Sequence, residues 1–177
     1  CVEERQFGVG EDPESWLPDF KTFARTVLDW SFSPKGYAGI VNSPIPDELQ
    51  VTLTDYGETL QPDFAVRDLS AKDEEPGWQL LVRVLEPGQP LDEVIRGPGG
   101  LEVSHHSRME RLLRRTGVKA GLLFNGQTIR LVSAPRGESS GWMDFCVHDM
   151  VQTAGRPICS ALRLLLREFR LLSVSSE

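Results

Sequence analysis

Residues 61–86 read QPDFAVRDLSAKDEEPGWQLLVRVLE, and the two apolar runs inside this stretch decide the fold. The first, around Phe64 to Val66, follows a Pro-Asp pair and has the length and bulk of a strand. The second runs WQLLVRVL from Trp78, rich in Leu and Val and short enough for a buried strand, and EPGQP ends it. An acidic loop, AKDEEPG, joins them. Upstream, Val51 and Leu53 alternate with Thr52 and Thr54, the period of a half-exposed strand. A polar turn at Tyr56-Gly57-Glu58 then leads toward Phe64, so these two segments are expected to form a strand pair.

Helices flank this centre. Leu17, Phe20, Phe23, Ala24, Val27, Leu28 and Trp30 fall at mostly helical spacing, which predicts a helix from about Pro18 to Trp30. SHHSRMERLLRRTG has the clearest ends. Ser104 can accept the free amide hydrogens of a first turn, and Gly117 can adopt the left-handed conformation that stops a last one. Met109, Leu112 and Leu113 make its apolar stripe. AGLLFNGQTIRLVSAP carries apolar runs on both sides of Asn125-Gly126, a dipeptide that favours the positive backbone angles of a tight hairpin. PRGESSG reads as a polar loop, MDFCVHDM as a short extended segment, and RPICSALRLLLREFRLL as an amphipathic C-terminal helix. The order predicts an α/β domain, a mixed central sheet flanked by helices, over residues 1–177.

At 40% hydrophobic and 25% charged residues, the chain can bury a real core in a single domain. No apolar run approaches the roughly 18 residues needed to span a bilayer, which predicts a soluble chain without a membrane partner. Cys1, Cys146 and Cys159 lack paired spacing, so reduced thiols and a cytoplasmic setting are expected. The start at Cys1 and the stop just past an apolar helix point to a fragment of something longer. The net charge of −7 hides an asymmetry: residues 1–100 hold 8 Lys and Arg against 19 Asp and Glu, and residues 101–177 hold 11 against 7. A basic second half is compatible with a phosphate-facing surface.

With the elements in this order, the chain resembles the N-terminal nuclease-like region of bacterial restriction-modification proteins, of the restriction-subunit or fused adenine-N6 methyltransferase type. The residues that carry the likeness are the leading helix ending in LDW, the acidic hairpin leading to QPDFAV, the buried strand, and RLLRRTGVKAGLLFNGQTIRLV. The resemblance implies a restriction-endonuclease-like fold of the PD-(D/E)xK superfamily, a role in phage defence, DNA as partner beside other domains or subunits of the system, and Mg²⁺ as cofactor. In that superfamily a Pro-Asp on one strand and a Glu-x-Lys on the next hold the metal against the scissile phosphate. Asp63 fits the first position as catalytic and metal-binding carboxylate. The second position departs: Arg83 stands where the acid belongs and Leu85 where the Lys belongs. A cation repels Mg²⁺ and cannot ligate it. The expectation is an inactive site in which Arg83 pairs with Asp63. The alternative is a migrated acid, Glu86, rotated inward by a bulge at Pro87-Gly88. Outside the resemblance, Asp63 reads as a turn residue that precedes a strand.

Other motifs carry less. His105 and His106 are adjacent rather than four apart, so they make no helical metal pair, and they and His148 read as surface or satisfied histidines. GESSG lacks the setting of a nucleophile elbow. Arginines are the better candidates, because guanidinium groups grip phosphates without any motif. Arg108, Arg111 and Arg115 recur at helical spacing, with Arg114 pointing elsewhere; Arg130 and Arg136 complete the DNA-binding set. Replacing Arg108, Arg111 and Arg115 by Glu is expected to abolish DNA binding and spare the fold. A solvated Arg face pairing with Glu102 and Glu110 is the competing reading, and a docking module inside a methyltransferase or helicase complex is the competing function.

Overall fold

The computed structural model describes residues 16–17, 19–32, 40–67, 77–97 and 99–167. In chain order these form helix α1 (Phe20–Val27), strands β1 (Ile40–Val41), β2 (Val51–Leu53), β3 (Glu58–Leu60), β4 (Phe64–Arg67), β5 (Trp78–Val84), β6 (Ile95–Arg96) and β7 (Glu102–Val103). Helix α2 (His105–Thr116), strands β8 (Ala120–Phe124), β9 (Thr128–Ser133) and β10 (Gly141–Cys146), and helices α3 (Val147–Val151) and α4 (Arg156–Leu166) follow. Six strands make one mixed sheet in the order β1-β4-β5-β8-β9-β10. Among the described residues only β5 and β8 run parallel, and the connection between them carries α2. The expected α/β class with a mixed sheet is what the chain adopts.

The strand alternation read from the sequence sorts side chains onto two faces. Leu80 and Val82 of β5, Leu122 and Phe124 of β8 and Ile129 of β9 pack against Phe20, Phe23, Ala24 and Val27 of α1 and Leu162 and Leu166 of α4. Leu81, Leu123 and Val132 pack on the other face against Met109, Leu112 and Leu113 of α2. Each fully buried aromatic or aliphatic side chain contributes about 1.5–3 kcal/mol, so both faces hold the sheet. Helix α2 approaches closely because Gly121 has no side chain; a Cβ there would lie 2.5 Å from the Met109 sulfur.

The local punctuation acts as its chemistry dictates. Ser104 Oγ accepts the Ser107 amide hydrogen at 3.1 Å, and Gly117 stops α2 at φ 79°. Gly126 turns the β8–β9 hairpin at φ 82°, while Asn125 Oδ1 accepts from the amides of Gln127 and Thr128 at 3.1 and 2.7 Å.

Several expected elements are corrected. Val51–Leu53 does not pair with the Phe64 strand: it pairs with Glu58–Leu60 in a separate hairpin, and Phe64–Arg67 joins the main sheet between β1 and β5. Helix α1 starts at Phe20 because the Asp19 carboxylate accepts the Thr22 amide hydrogen at 2.9 Å and caps it there; Pro18 lies outside the described residues. MDFCVHDM divides between the end of β10 and the short α3. The C-terminal helix runs from Arg156 to Leu166, where an extended Arg167 ends it; the rest of its predicted span, like most of the acidic loop AKDEEPG, lies outside the described residues.

Candidate functional site

Asp63 ends the turn before β4 and is placed by its amide, which donates to Val82 O at 2.8 Å. Phe64 is opposite Val82 in the β4–β5 ladder, so Asp63 and Arg83 are direct cross-strand neighbours on the α2 face. Arg83 Nη1 donates to Asp63 Oδ1 at 3.0 Å, and the Val84 amide donates to Oδ2 at 2.7 Å. Both carboxylate oxygens are therefore engaged by the protein, one by a full positive charge.

Arg83 forms one wall of a cleft of about 160 Å³ between the β3 hairpin strand, β5 and α2. Leu60, Met109, Leu112 and Leu123 make its apolar floor; Glu58, Thr59, Gln61, His105 and Arg108 supply its polar rim. Arg108 Nη1 is bonded to Glu58 Oε1, and its Nη2 donates to Leu101 O at 3.4 Å. Both side chains of this pair are largely buried. Gly97 closes over it, because a Cβ on that residue would collide with the ends of Arg108 and Glu58. His105, half-buried beside them, is held below the ordinary imidazole range by desolvation first, then by the positive charges of Arg108 and Arg83. Its Nε2 is buried and has no hydrogen-bond partner.

The residues at Asp63 do not fit a hard divalent cation. Mg²⁺ needs open carboxylate oxygens, and a guanidinium bonded to one of them takes the ion's place there. Here Arg83 and the Val84 amide use the oxygens of Asp63, and among the described residues no three His, Cys, Asp or Glu side chains come together as a metal set. Glu86, the alternative acid, is exposed just past the end of β5 and is not among the residues lining the cleft.

The arginines divide sharply. Arg108 is spent on Glu58, so an Arg108→Glu change would set two carboxylates together in a buried place, contrary to the expectation that the fold would be spared. Arg130 is 6% exposed and lies between Asp92 and Asp144, with Nε and Nη2 donating to Asp144 at 2.6 and 2.7 Å and Nη1 and Nη2 donating to Asp92. The Asp144 bonds above all raise its already high pKa, and its bonds hold Asp92 below the ordinary carboxylate range. Such a guanidinium has no free edge for a phosphate. Arg136 is exposed, but it donates from Nε to Arg114 O at 2.6 Å and from Nη2 to Arg115 O, closing the C-terminal turn of α2.

Arg111 and Arg115 remain, joined by Arg114, which does not point elsewhere: all three line one shallow depression with Ser107 and Glu110. None of the three makes an ion pair among the described residues, and neither Glu102 nor Glu110 pairs with them; those two meet Arg96 and His106 instead. His106 is buried, with Nε2 3.5 Å from Glu110, and so differs from the surface histidine expected.

Sequence reasoning missed Glu58 and His105 as cleft residues. The signal for Glu58 was the hairpin partner of Val51–Leu53; for His105 local spacing offers only Arg108, and the rest of its surroundings come from β3 and β5. No family model, curated protein or solved structure matches the chain, so the reading below rests on geometry. No helix among the described residues is long and apolar enough to cross a membrane.

Proposed function

We propose that the chain is a restriction-endonuclease-like domain of a bacterial restriction-modification protein that contacts DNA and has exchanged its metal site for an ion pair. The observation that carries this reading is the Arg83 to Asp63 bond, at the place where a Pro-Asp strand and the next strand would otherwise present two acids. The chain order supports it: Pro62-Asp63 heads β4, and Arg83 lies on the neighbouring β5. Contact with DNA would come from Arg111, Arg114 and Arg115, which make no ion pair among the described residues and line one depression on α2. Such contacts bind phosphates irrespective of sequence and weaken steeply with salt, because each neutralised phosphate releases a condensed counterion. The domain would work in the cytoplasm beside the other domains or subunits of its system.

Gel-shift titrations of duplex DNA across a salt series test this. Wild type should bind weakly at low salt, and the Arg111→Glu, Arg114→Glu, Arg115→Glu variant should lose binding while unfolding at an unchanged denaturant midpoint. Equal affinity of the two proteins removes DNA from the reading. A docking module without DNA contact is the second reading, and the open outer strand of the sheet favours it.

A further inference from the structure

The two edges of the sheet are unequal. Among the described residues, β1 at one edge has two residues, and at the other edge β10 has six and pairs with β9 alone. The direction of its backbone groups follows from the ladder. The Val147 amide donates to Gln127 O at 2.8 Å, in register with Cys146 opposite Thr128. Bonding residues of an antiparallel pair alternate, so Phe145, Met143 and Gly141 turn inward to β9. Trp142, Asp144 and Cys146 thus turn their N–H and C=O groups outward.

The same residues carry the side chains of the α2 face, and these are unusual for an edge. Trp142 is 59% exposed yet held on two sides, with the Arg130 guanidinium 5.6 Å from its ring centre and the His106 ring edge-on at 5.0 Å. A large aromatic that is both rigid and solvent-facing costs little entropy to bury against a partner. Beside it Asp144 and Asp92 bring two negative charges against the single positive charge of Arg130, and Asp92 is largely in water. Lys or Pro on an edge strand discourages pairing; β10 has neither.

We propose that β10 is a docking edge that takes an extended, Lys- or Arg-bearing segment of a partner protein by strand addition. Backbone bonds would run to Trp142, Asp144 and Cys146, and basic side chains of the added strand, opposite Trp142 and Asp144, would meet the indole face and the acidic pair. Charge selects this occupant over a second copy. The self-pairing register that engages all three outward residues sets Trp142 opposite Cys146 and therefore Asp144 opposite Asp144, a like-charge cross-strand pair. The inference does not depend on the DNA reading.

The test uses the whole chain and a short acetylated, amidated peptide alternating valine with arginine, beside its valine-glutamate counterpart. Hydrogen exchange by NMR should slow at the Trp142, Asp144 and Cys146 amides with the arginine peptide alone. Cys146→Pro removes one outward donor at a φ of −77° that proline accepts, so it should weaken binding roughly three- to tenfold without loss of a β9 bond. Trp142→Ala should weaken it by more than about tenfold. Unchanged exchange at those amides, equal binding of the glutamate peptide, or undiminished affinity in both variants overturns the proposal. Protection of the same amides that grows with protein concentration and needs no peptide also overturns it, in favour of a second copy.

Discussion

Arg83 and Arg130 sit on strands of one sheet, facing α2, and each meets a carboxylate from a neighbouring strand. Arg130 is bound by two carboxylates through four hydrogen bonds and is nearly excluded from water. Arg83 makes one bond, to Asp63, and the two side chains stay 43% and 36% exposed at the wall of a cleft. The same residue type is a fastener in one place and a surface-accessible site residue in the other. Burial and the number of carboxylates decide which, and neither is a property of the local sequence.

The contrast breaks or holds on stability. Arg130→Met keeps the bulk but removes the charge, leaving Asp144 and Asp92 to repel one another over an apolar floor. The expected loss is about 3 kcal/mol by urea denaturation at neutral pH, no larger because Asp92 is mostly hydrated. A loss below about 1 kcal/mol would make Arg130 an ordinary surface pair. Arg83→Met should cost no more than about 1 kcal/mol, and the coupling to Asp63→Asn in a double-mutant cycle should be equally small, since water screens both groups. A cost near that of Arg130→Met would mean that the pair serves the fold instead.

The smallest effect is a slope with pH. His105 has a folded pKa below its ordinary value, chiefly from desolvation and then from Arg108 and Arg83. As pH falls through about 6.5, the unfolded chain takes up this proton first, so stability should decline from there until the lower folded value is passed. Chemical denaturation from about pH 7 to about pH 5 should show a shallower decline in His105→Gln than in wild type. Parallel curves would place His105 in water, outside the field of the two arginines.

What the sequence disclosed follows the reach of each interaction. Ser104, Gly117 and Asn125-Gly126 act on residues within a few positions, so α2 and the β8–β9 turn are legible at once. Asp63 beside Arg83 was legible from strand alternation, once the two strands were taken as neighbours. The β2–β3 pairing was hidden because Glu58–Leu60 is short and half polar while Phe64–Val66 is the stronger apolar run, and apolar content alone attracted the wrong partner. The fate of the arginines was hidden for a different reason. Arg108 meets Glu58 from 50 residues away, and Arg130 meets Asp92 from 38. Helical spacing could set Arg108 on a stripe with Arg111 and Arg115, but it could not show that the β3 hairpin strand covers the first turn of that stripe.

The proposed exchange of a metal site for an ion pair at Asp63 is addressed most directly by plasmid cleavage. Purified chain incubated with supercoiled plasmid, with and without Mg²⁺ or Mn²⁺, should leave the plasmid intact, because a carboxylate bonded to Arg83 and to the Val84 amide offers no open site for either ion. Metal-dependent nicking that disappears in Asp63→Ala would contradict the account, and would show that another acid completes a working site.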